Sequence, residues 1–333
     1  MLSSWSLRAL LFVCFMTWSS PLKAAEKHAL HIVTSFFPMY VATLNVTHPY
    51  DGSIEVTNLT PPAVGCLHDY QLTPKDMKTL ATANVLIING AGMESFIEPA
   101  AKELKHLKIV DASKGLDLIQ TDEKEDACCH HHEHEHEHES KSSAHTHSHE
   151  EHGVDPHTWM SVSNMMHQVR RIAEDLGRID EAHAAVYQEN AERYVQKLEE
   201  ARGRMQSTLA KAHHRNIVTF HDGFGYFAKE FDLNIVAVVQ SHPGTEPSAK
   251  ELAKTIQIIR KLGPDVALFA EPQYPSKSAE MVARETGKKL YVLDSLVTNP
   301  ENRKSVPSTH SSALNAYLDG MERNRRTLEE VLK

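Results

Sequence analysis

Histidine carries the first chemistry this sequence offers. The chain of 333 residues holds 23 histidines. Ten of them (His130, His131, His132, His134, His136, His138, His145, His147, His149 and His152) crowd into one stretch rich in glutamate. Imidazole nitrogen and carboxylate oxygen together suit a divalent cation of borderline softness, zinc foremost. The stretch has almost no apolar content, so it cannot offset the entropy of ordering, and it reads as a mobile loop over 117–153. Ligands on a mobile chain are not held in one geometry, so the loop predicts weak, fast-exchanging accessory contacts. Cys128 and Cys129 stand at its head and add affinity there while reduced.

Three other histidines share a different context: His68 in "GCLHDYQLTPKD", His157 in "DPHTWMS" and His221 in "IVTFHDGFGYF". Each adjoins an apolar, strand-like run or precedes a helix start. Asp294, in "KLYVLDSL", also ends such a run. In open α/β sheets the ligand crevice lies beyond the carboxyl ends of the strands, and three imidazoles with one carboxylate suit Zn²⁺ well. A bland reading stands beside this one. A lone histidine near a loop is commonly a surface or capping residue, and Asp294 would serve as a turn cap. Spacing leaves the choice open, since the histidines lie 89 and 64 residues apart. A ligating imidazole normally donates its second N–H to a carboxylate or carbonyl; Asp69, Asp155, Asp222 and Glu271 are available for that role.

The elements that must position these residues follow from hydrophobic periodicity. "LHIVTS", "IEVTNLT", "NVLIING" and "KIVDAS" read as strands. "TPKDMKTLATA" between the second and third reads as a helix capped by Thr73 with Pro74 at its first position. After the loop, Tyr187, Ala191, Tyr194, Leu198, Ala201, Met205 and Leu209 mark one face of a long helix capped by Asp180. Alternation then resumes with strands at "NIVTF", "NIVAVV", "DVALFAE" and "KLYVLDS". Helices fall between them, one of them ending at Gly263, and a last helix covers about 308–332. The pattern predicts an α/β fold with two parallel-sheet lobes joined by a long rigid helix. The expected divisions are an N-terminal lobe over 26–178, the linking helix over 179–212 and a C-terminal lobe over 213–333.

Bulk properties narrow the function. The chain is 41% apolar and 24% charged, with a formal net charge of −9, and the excess acid argues against a nucleic-acid partner. Residues 1–25 read as a secretory signal: Arg8, the short apolar core "ALLFVCFMTW", then small residues at Ala24 and Ala25. Cys14 lies inside that apolar core after Val13, which argues against a lipid anchor and for a soluble periplasmic protein. The remaining cysteines, Cys66, Cys128 and Cys129, make no complete disulfide framework.

Six segments, in order, resemble the zinc- and manganese-binding solute receptors of ABC importers, the cluster A-I family. They are "IVTSFFPMY" at 32–40, "HDYQLTPKD" at 68–76, "ANVLIINGAGMESF" at 83–96, "DPHTWMS" at 155–161, "TFHDGFGYFAKEF" at 219–231 and "GPDVALFAEPQYPSKSAEMVARETG" at 263–287, followed by "LDSL" at 293–296. The resemblance implies a metal held in the cleft between the lobes by His68, His157 and His221, with Asp294 at the family's fourth, carboxylate position. This chain has "GCLHDY" where relatives carry proline, serine or glutamate before the histidine; Cys66 either packs as a small apolar residue or replaces a ligand. It has "LDSL" in place of the common "LDPL". The His/Glu loop lies between two of the matching segments, as a native insertion does.

The function so implied is a monomeric periplasmic receptor that captures Zn²⁺ and delivers it to an ABC permease driven by a cytoplasmic ATPase. Manganese relatives usually pair two histidines with two carboxylates, so three histidines tip the cargo towards zinc. The competing readings are a manganese receptor, a zinc buffer without a transporter, and a zinc hydrolase, for which the helical H-E-x-x-H is lacking. A calorimetric zinc titration is expected to show one tight site and a weak class. Deleting residues 120–152 should remove the weak class alone; loss of the tight class would contradict the assignment of the histidines.

Overall fold

The computed structural model of the protein describes residues 29–49, 52–61, 67, 70–121, 153–240, 246–298 and 313–333. The expected signal segment over 1–25, His68, Asp69, Cys66, Cys128, Cys129 and the ten clustered histidines lie outside the described residues.

Two four-stranded parallel sheets organise the chain. The first runs β2-β1-β3-β4 from β1 (Leu30–Thr34), β2 (Ile54–Asn58), β3 (Val85–Ile88) and β4 (Lys108–Asp111). The second runs β10-β9-β7-β8 from β7 (Asn216–His221), β8 (Asn234–Gln240), β9 (Ala267–Ala270) and β10 (Leu290–Val292). A short antiparallel pair, β5 (Gln120–Thr121) with β6 (Gly153–Val154), joins the described residues on either side of 122–152. The strands follow the apolar runs, and the parallel pairing follows from the helices between them.

Helices α1 (Phe37–Thr47), α2 (Pro74–Thr82) and α3 (Glu98–Glu103) accompany the first sheet. The second carries α6 (Gly225–Phe231), α7 (Ala249–Leu262), α8 (Lys277–Thr286) and the final α9 (Ala316–Val331). Helix α2 begins as its residues require: Thr73 and Asp76 form a reciprocal capping box, with Pro74 in the first turn. Helix α1 is buried on nearly every side, which is why it shows no amphipathic stripe.

Between the sheets run α4 (Val162–Ile179) and α5 (Ala184–Leu209). The predicted apolar face of α5 is buried throughout, from Tyr187 to Leu209. At 26 residues it spans about 39 Å. Asp180 does not cap it through backbone N–H groups; its carboxylate instead accepts the Tyr187 hydroxyl at 2.7 Å and faces His183 Nδ1 at 2.6 Å. Helix α4 was not among the expected elements. It buries Met165, Met166, Val169, Ile172, Ala173 and Leu176 against α5 and α1, and Ser161 caps it by accepting the Asn164 N–H.

Period-2 alternation decides which face of each sheet meets the centre. In β1 Ile32 faces the central core and Val33 the outer one; in β3 Val85 and Ile87 face inward and Leu86 outward. In β9 Ala267 and Phe269 face inward, while Leu268 and Ala270 join the outer cluster of the second lobe. The inner faces of both sheets, with α1, α4, α5 and α9, build one continuous core. The two lobes therefore share a packed interior rather than a hinge of exposed chain. Among the described residues, no helix is long and apolar enough to cross a membrane. Leu198, fully buried in α5, tests this shared core. Leu198→Ala should cost about 3 kcal/mol by cavity formation, read as a lowered urea midpoint. A change under about 0.5 kcal/mol, the range of ordinary surface substitutions, would contradict the packing described.

Candidate metal centre

The segment that delivers His157 is a tight turn. Asp155 accepts the His157 backbone N–H at 2.9 Å, and the same oxygen faces His157 Nδ1 at 2.8 Å. One carboxylate thus fixes both the turn and the ring. A short 3-10 turn, Thr158–Met160, follows before α4. Beneath it lies a buried polar network. Thr158 donates its hydroxyl to Asn89 Oδ1 at 2.7 Å, Gln168 Nε2 reaches Asn89, Ser113 and Thr158, and Asn89 Nδ2 donates to the Pro156 carbonyl. These bonds tie the turn to the carboxyl ends of β3 and β4.

His221 is the last residue of β7. Its Nδ1 makes a short contact with the Glu271 carboxylate, which also accepts the His221 backbone N–H at 3.3 Å. Glu271 directly follows β9. Both histidines and both carboxylates are at least nine-tenths buried. The two imidazoles, one before α4 and one on β7, lie with ring centroids 5.3 Å apart, edge to face. Each Nδ1 is held by a carboxylate, the arrangement that leaves Nε2 as the metal-binding nitrogen. Gly223 fits the same space: a Cβ there would run into His221 Nε2 and come within 3.2 Å of His157 Cδ2.

Trp159 and Gln273 connect this pair to the last motif. The Trp159 ring packs on His157 and, 4.8 Å away, on Phe36 at the end of β1, while its indole N–H donates to the Ser295 carbonyl at 2.8 Å. Tyr317 of α9 donates to the Trp159 carbonyl. Gln273 donates to Glu271 and reaches Ser295 Oγ. The carboxyl ends of both sheets therefore meet at one place.

Asp294 lies at this end, buried, in a turn closed by Leu296 with φ of 59°. Its Oδ1 accepts the Leu296 N–H at 2.9 Å, and its Oδ2 lies 3.7 Å from the Arg323 guanidinium. Burial pushes its carboxyl above the usual range, and the nearby Glu271 charge adds to this, while Leu296 and Arg323 pull it back. Of the expected ligands, the structure brings His157 and His221 together. Among the described residues no group of three His, Cys, Asp or Glu side chains gathers to hold a metal ion; Asp294 lies at the same end of the sheets, and His68 lies outside the described residues. Of the four candidate supports, Asp155 and Glu271 each face an imidazole Nδ1. Trp159, Gly223 and Gln273 were not singled out; their only sequence signal is adjacency to the histidine motifs.

Burial pulls the His221 imidazole down, but the Glu271 charge and hydrogen bond, with Asp222 and Asp155 behind them, outweigh it and set the group above the ordinary histidine range. In the metal-free protein this pair adds stability that is fully present below about pH 6.5, the unfolded value, and is lost as pH rises through the folded one. Nitrogen-15 NMR titration of metal-free protein should show His221 titrating above the unperturbed value. Glu271→Gln should lower it, because burial would then be opposed only by the Asp222 and Asp155 charges. A His221 that is unmoved by Glu271→Gln would contradict the assignment.

A family model for the zinc-uptake complex component A, periplasmic, matches residues 32–331. The chain is 30% identical to the high-affinity zinc uptake system protein ZnuA of Bacillus subtilis, over 100% of this chain and 99% of that protein. It is 28% identical to the zinc-binding protein AdcA of Streptococcus pyogenes, over 97% of this chain but 59% of that longer protein. Among solved structures, the solute-binding protein FpvC of Pseudomonas aeruginosa in complex with Mn²⁺ superposes with a TM-score of 0.71 at 28% identity, covering 91% of this chain and 98% of that one. A Zn(II)-bound variant of AdcAII from Streptococcus pneumoniae gives a TM-score of 0.71 at 26% identity, covering 92% and 99%. With the match running from β1 to the end of α9, the chain belongs to the family of periplasmic zinc-uptake components typified by ZnuA.

Proposed function

We propose that this protein is a zinc receptor that captures Zn²⁺ outside the cytoplasm and hands it to the membrane permease of an ATP-driven importer, with no bond made or broken. The observation that carries this reading is the pair of buried imidazoles, His157 and His221, brought 5.3 Å apart from two lobes and each anchored at Nδ1 by a carboxylate. Two neutral nitrogens aimed from opposite walls suit a borderline dication. Asp155 and Glu271 hold the two Nδ1 atoms and so fix the tautomer and the orientation of each ring. His68 supplies the third imidazole, and Asp294 or water supplies the fourth position. The His/Glu loop collects metal near the site and exchanges it quickly.

The relatives support the cargo by name: the Bacillus subtilis protein is a zinc uptake component and AdcA is zinc-binding. FpvC, solved with Mn²⁺ and with Ni²⁺, makes those ions the competitors to measure. The lobes share a core, so metal capture needs only local movement of ligand-bearing segments.

Zinc content and affinity test the proposal together. Protein purified without added metal should carry about one zinc per chain, and His157→Ala or His221→Ala should weaken the tight site at least about 100-fold while the fold persists. Tight binding retained in both variants would refute the site. Normal zinc uptake at limiting zinc in cells lacking the protein would refute the transport role.

A further inference from the structure

The metal pair has a feature behind it that the receptor reading does not use. The short ladder at the base of the His/Glu loop pairs Gln120 with Val154 and Thr121 with Gly153. The next antiparallel pair in register is Ile119 with Asp155. In a regular ladder these two residues would exchange both backbone bonds. Only one is made: Asp155 N–H donates to the Ile119 carbonyl at 2.9 Å. The other is interrupted by the Tyr226 hydroxyl, which accepts the Ile119 N–H at 3.0 Å and donates to the Asp155 carbonyl at 2.9 Å. A side-chain oxygen from the second lobe is thus inserted as a rung in a ladder of the first. It acts on the backbone of Asp155, the residue whose carboxylate holds both the N–H and the Nδ1 of His157.

Glu230, one helical turn along α6 from Tyr226, holds the other side of His157. Its carboxylate accepts the Val162 N–H at 2.6 Å, the Ser163 N–H at 3.1 Å and the Ser163 hydroxyl at 2.6 Å, and it pairs with Arg202 of α5 at 2.9 Å. It is buried, and it satisfies the first amides of α4, where a negative charge is also favoured by the helix dipole. Residues four apart share a helix face, so one face of α6 grips the chain at Asp155 and at Val162, on either side of His157. The same helix starts four residues after His221. Gly225 permits the approach, because a Cβ there would lie 2.6 Å from Asp155 Oδ2.

We propose that Tyr226 and Glu230 are positioning residues for the metal pair: they bolt the His157 turn to the helix that follows His221, so that the two imidazoles form one fixed unit. This inference rests on the zinc-receptor reading above. Without the hydroxyl, the rung at Ile119 and Asp155 closes or opens, Asp155 shifts, and His157 loses its fixed orientation.

The test uses the full-length chain and the metals Zn²⁺ and Co²⁺. Tyr226→Phe keeps the ring and removes only the inserted oxygen. Tyr187→Phe, which removes a comparably buried hydroxyl bonded to Asp180 at 2.7 Å at the far end of α5, is the control for general loosening. Release of Zn²⁺ to a chelator should be about tenfold faster in Tyr226→Phe, within the range for loss of an outer-shell partner. The visible absorption of bound Co²⁺, which reports ligand geometry, should shift. Glu230→Gln should move both readouts in the same direction, and Tyr187→Phe should move neither. Folded Tyr226→Phe and Glu230→Gln proteins with wild-type release rates and Co²⁺ spectra would overturn the inference and leave the receptor reading intact. A Tyr187→Phe protein that matches Tyr226→Phe would also overturn it. A wild-type chain that takes up neither metal would overturn both.

Discussion

A carboxylate set against the Nδ1 of a buried imidazole is the interaction on which the rest of this structure depends, and it occurs twice, at Asp155–His157 and Glu271–His221. Each pair would be costly to bury on general grounds, because desolvating an ion is expensive unless its partner and hydrogen bonds are in place. The surroundings supply those partners. Asp155 takes the His157 backbone N–H, and Glu271 takes that of His221 along with the Gln273 amide. An apolar core could be built without either pair. Their presence where the carboxyl ends of two parallel sheets converge is what the proposed metal site would require of them.

Once the pairs are fixed, the frame around them follows. The histidine rings come from segments far apart in sequence, so their separation is only as constant as the contact between lobes. That contact is a shared apolar core through α4 and α5, reinforced at the site by Trp159 donating to Ser295 and by Tyr317 donating back to Trp159. A hinge of exposed chain would allow the imidazoles to drift by ångströms, and a metal site tolerates only tenths of that.

Much of this was legible in the sequence, and the reasons differ by element. The strands were readable as short apolar runs, such as Ile32 and Val33 buried on opposite faces of β1, and α5 because Tyr187 through Leu209 recur at helical spacing. The start of α2 was readable because capping is local, and Thr73, Pro74 and Asp76 act within one turn. Helix α4 carries an equally clear stripe in Met165, Val169, Ile172 and Leu176 but went unanticipated, standing between the histidine motif and the more obvious α5. Asp155 and Glu271 could be named as available carboxylates without any means of choosing between them and Asp69 or Asp222, since the choice depends on which chain segments meet in space. The Tyr226 rung is of the same kind. Nothing local to "FGYFAKEF" says that its hydroxyl will enter a ladder made by residues 119 and 155. Asp294 could be placed just past a strand's end, but that its oxygens face the Leu296 N–H and Arg323 is visible only in the folded turn.

The central claim is that carboxylates hold both imidazoles by Nδ1 so that Nε2 takes the metal. Long-range nitrogen–proton NMR of ¹⁵N-histidine-labelled protein, recorded without metal and with one equivalent of Zn²⁺, tests this directly. His157 and His221 should both keep a proton on Nδ1 and show a metal-induced shift at Nε2 on loading. Zinc on Nδ1, or either histidine left unchanged by one equivalent of zinc, would contradict the account.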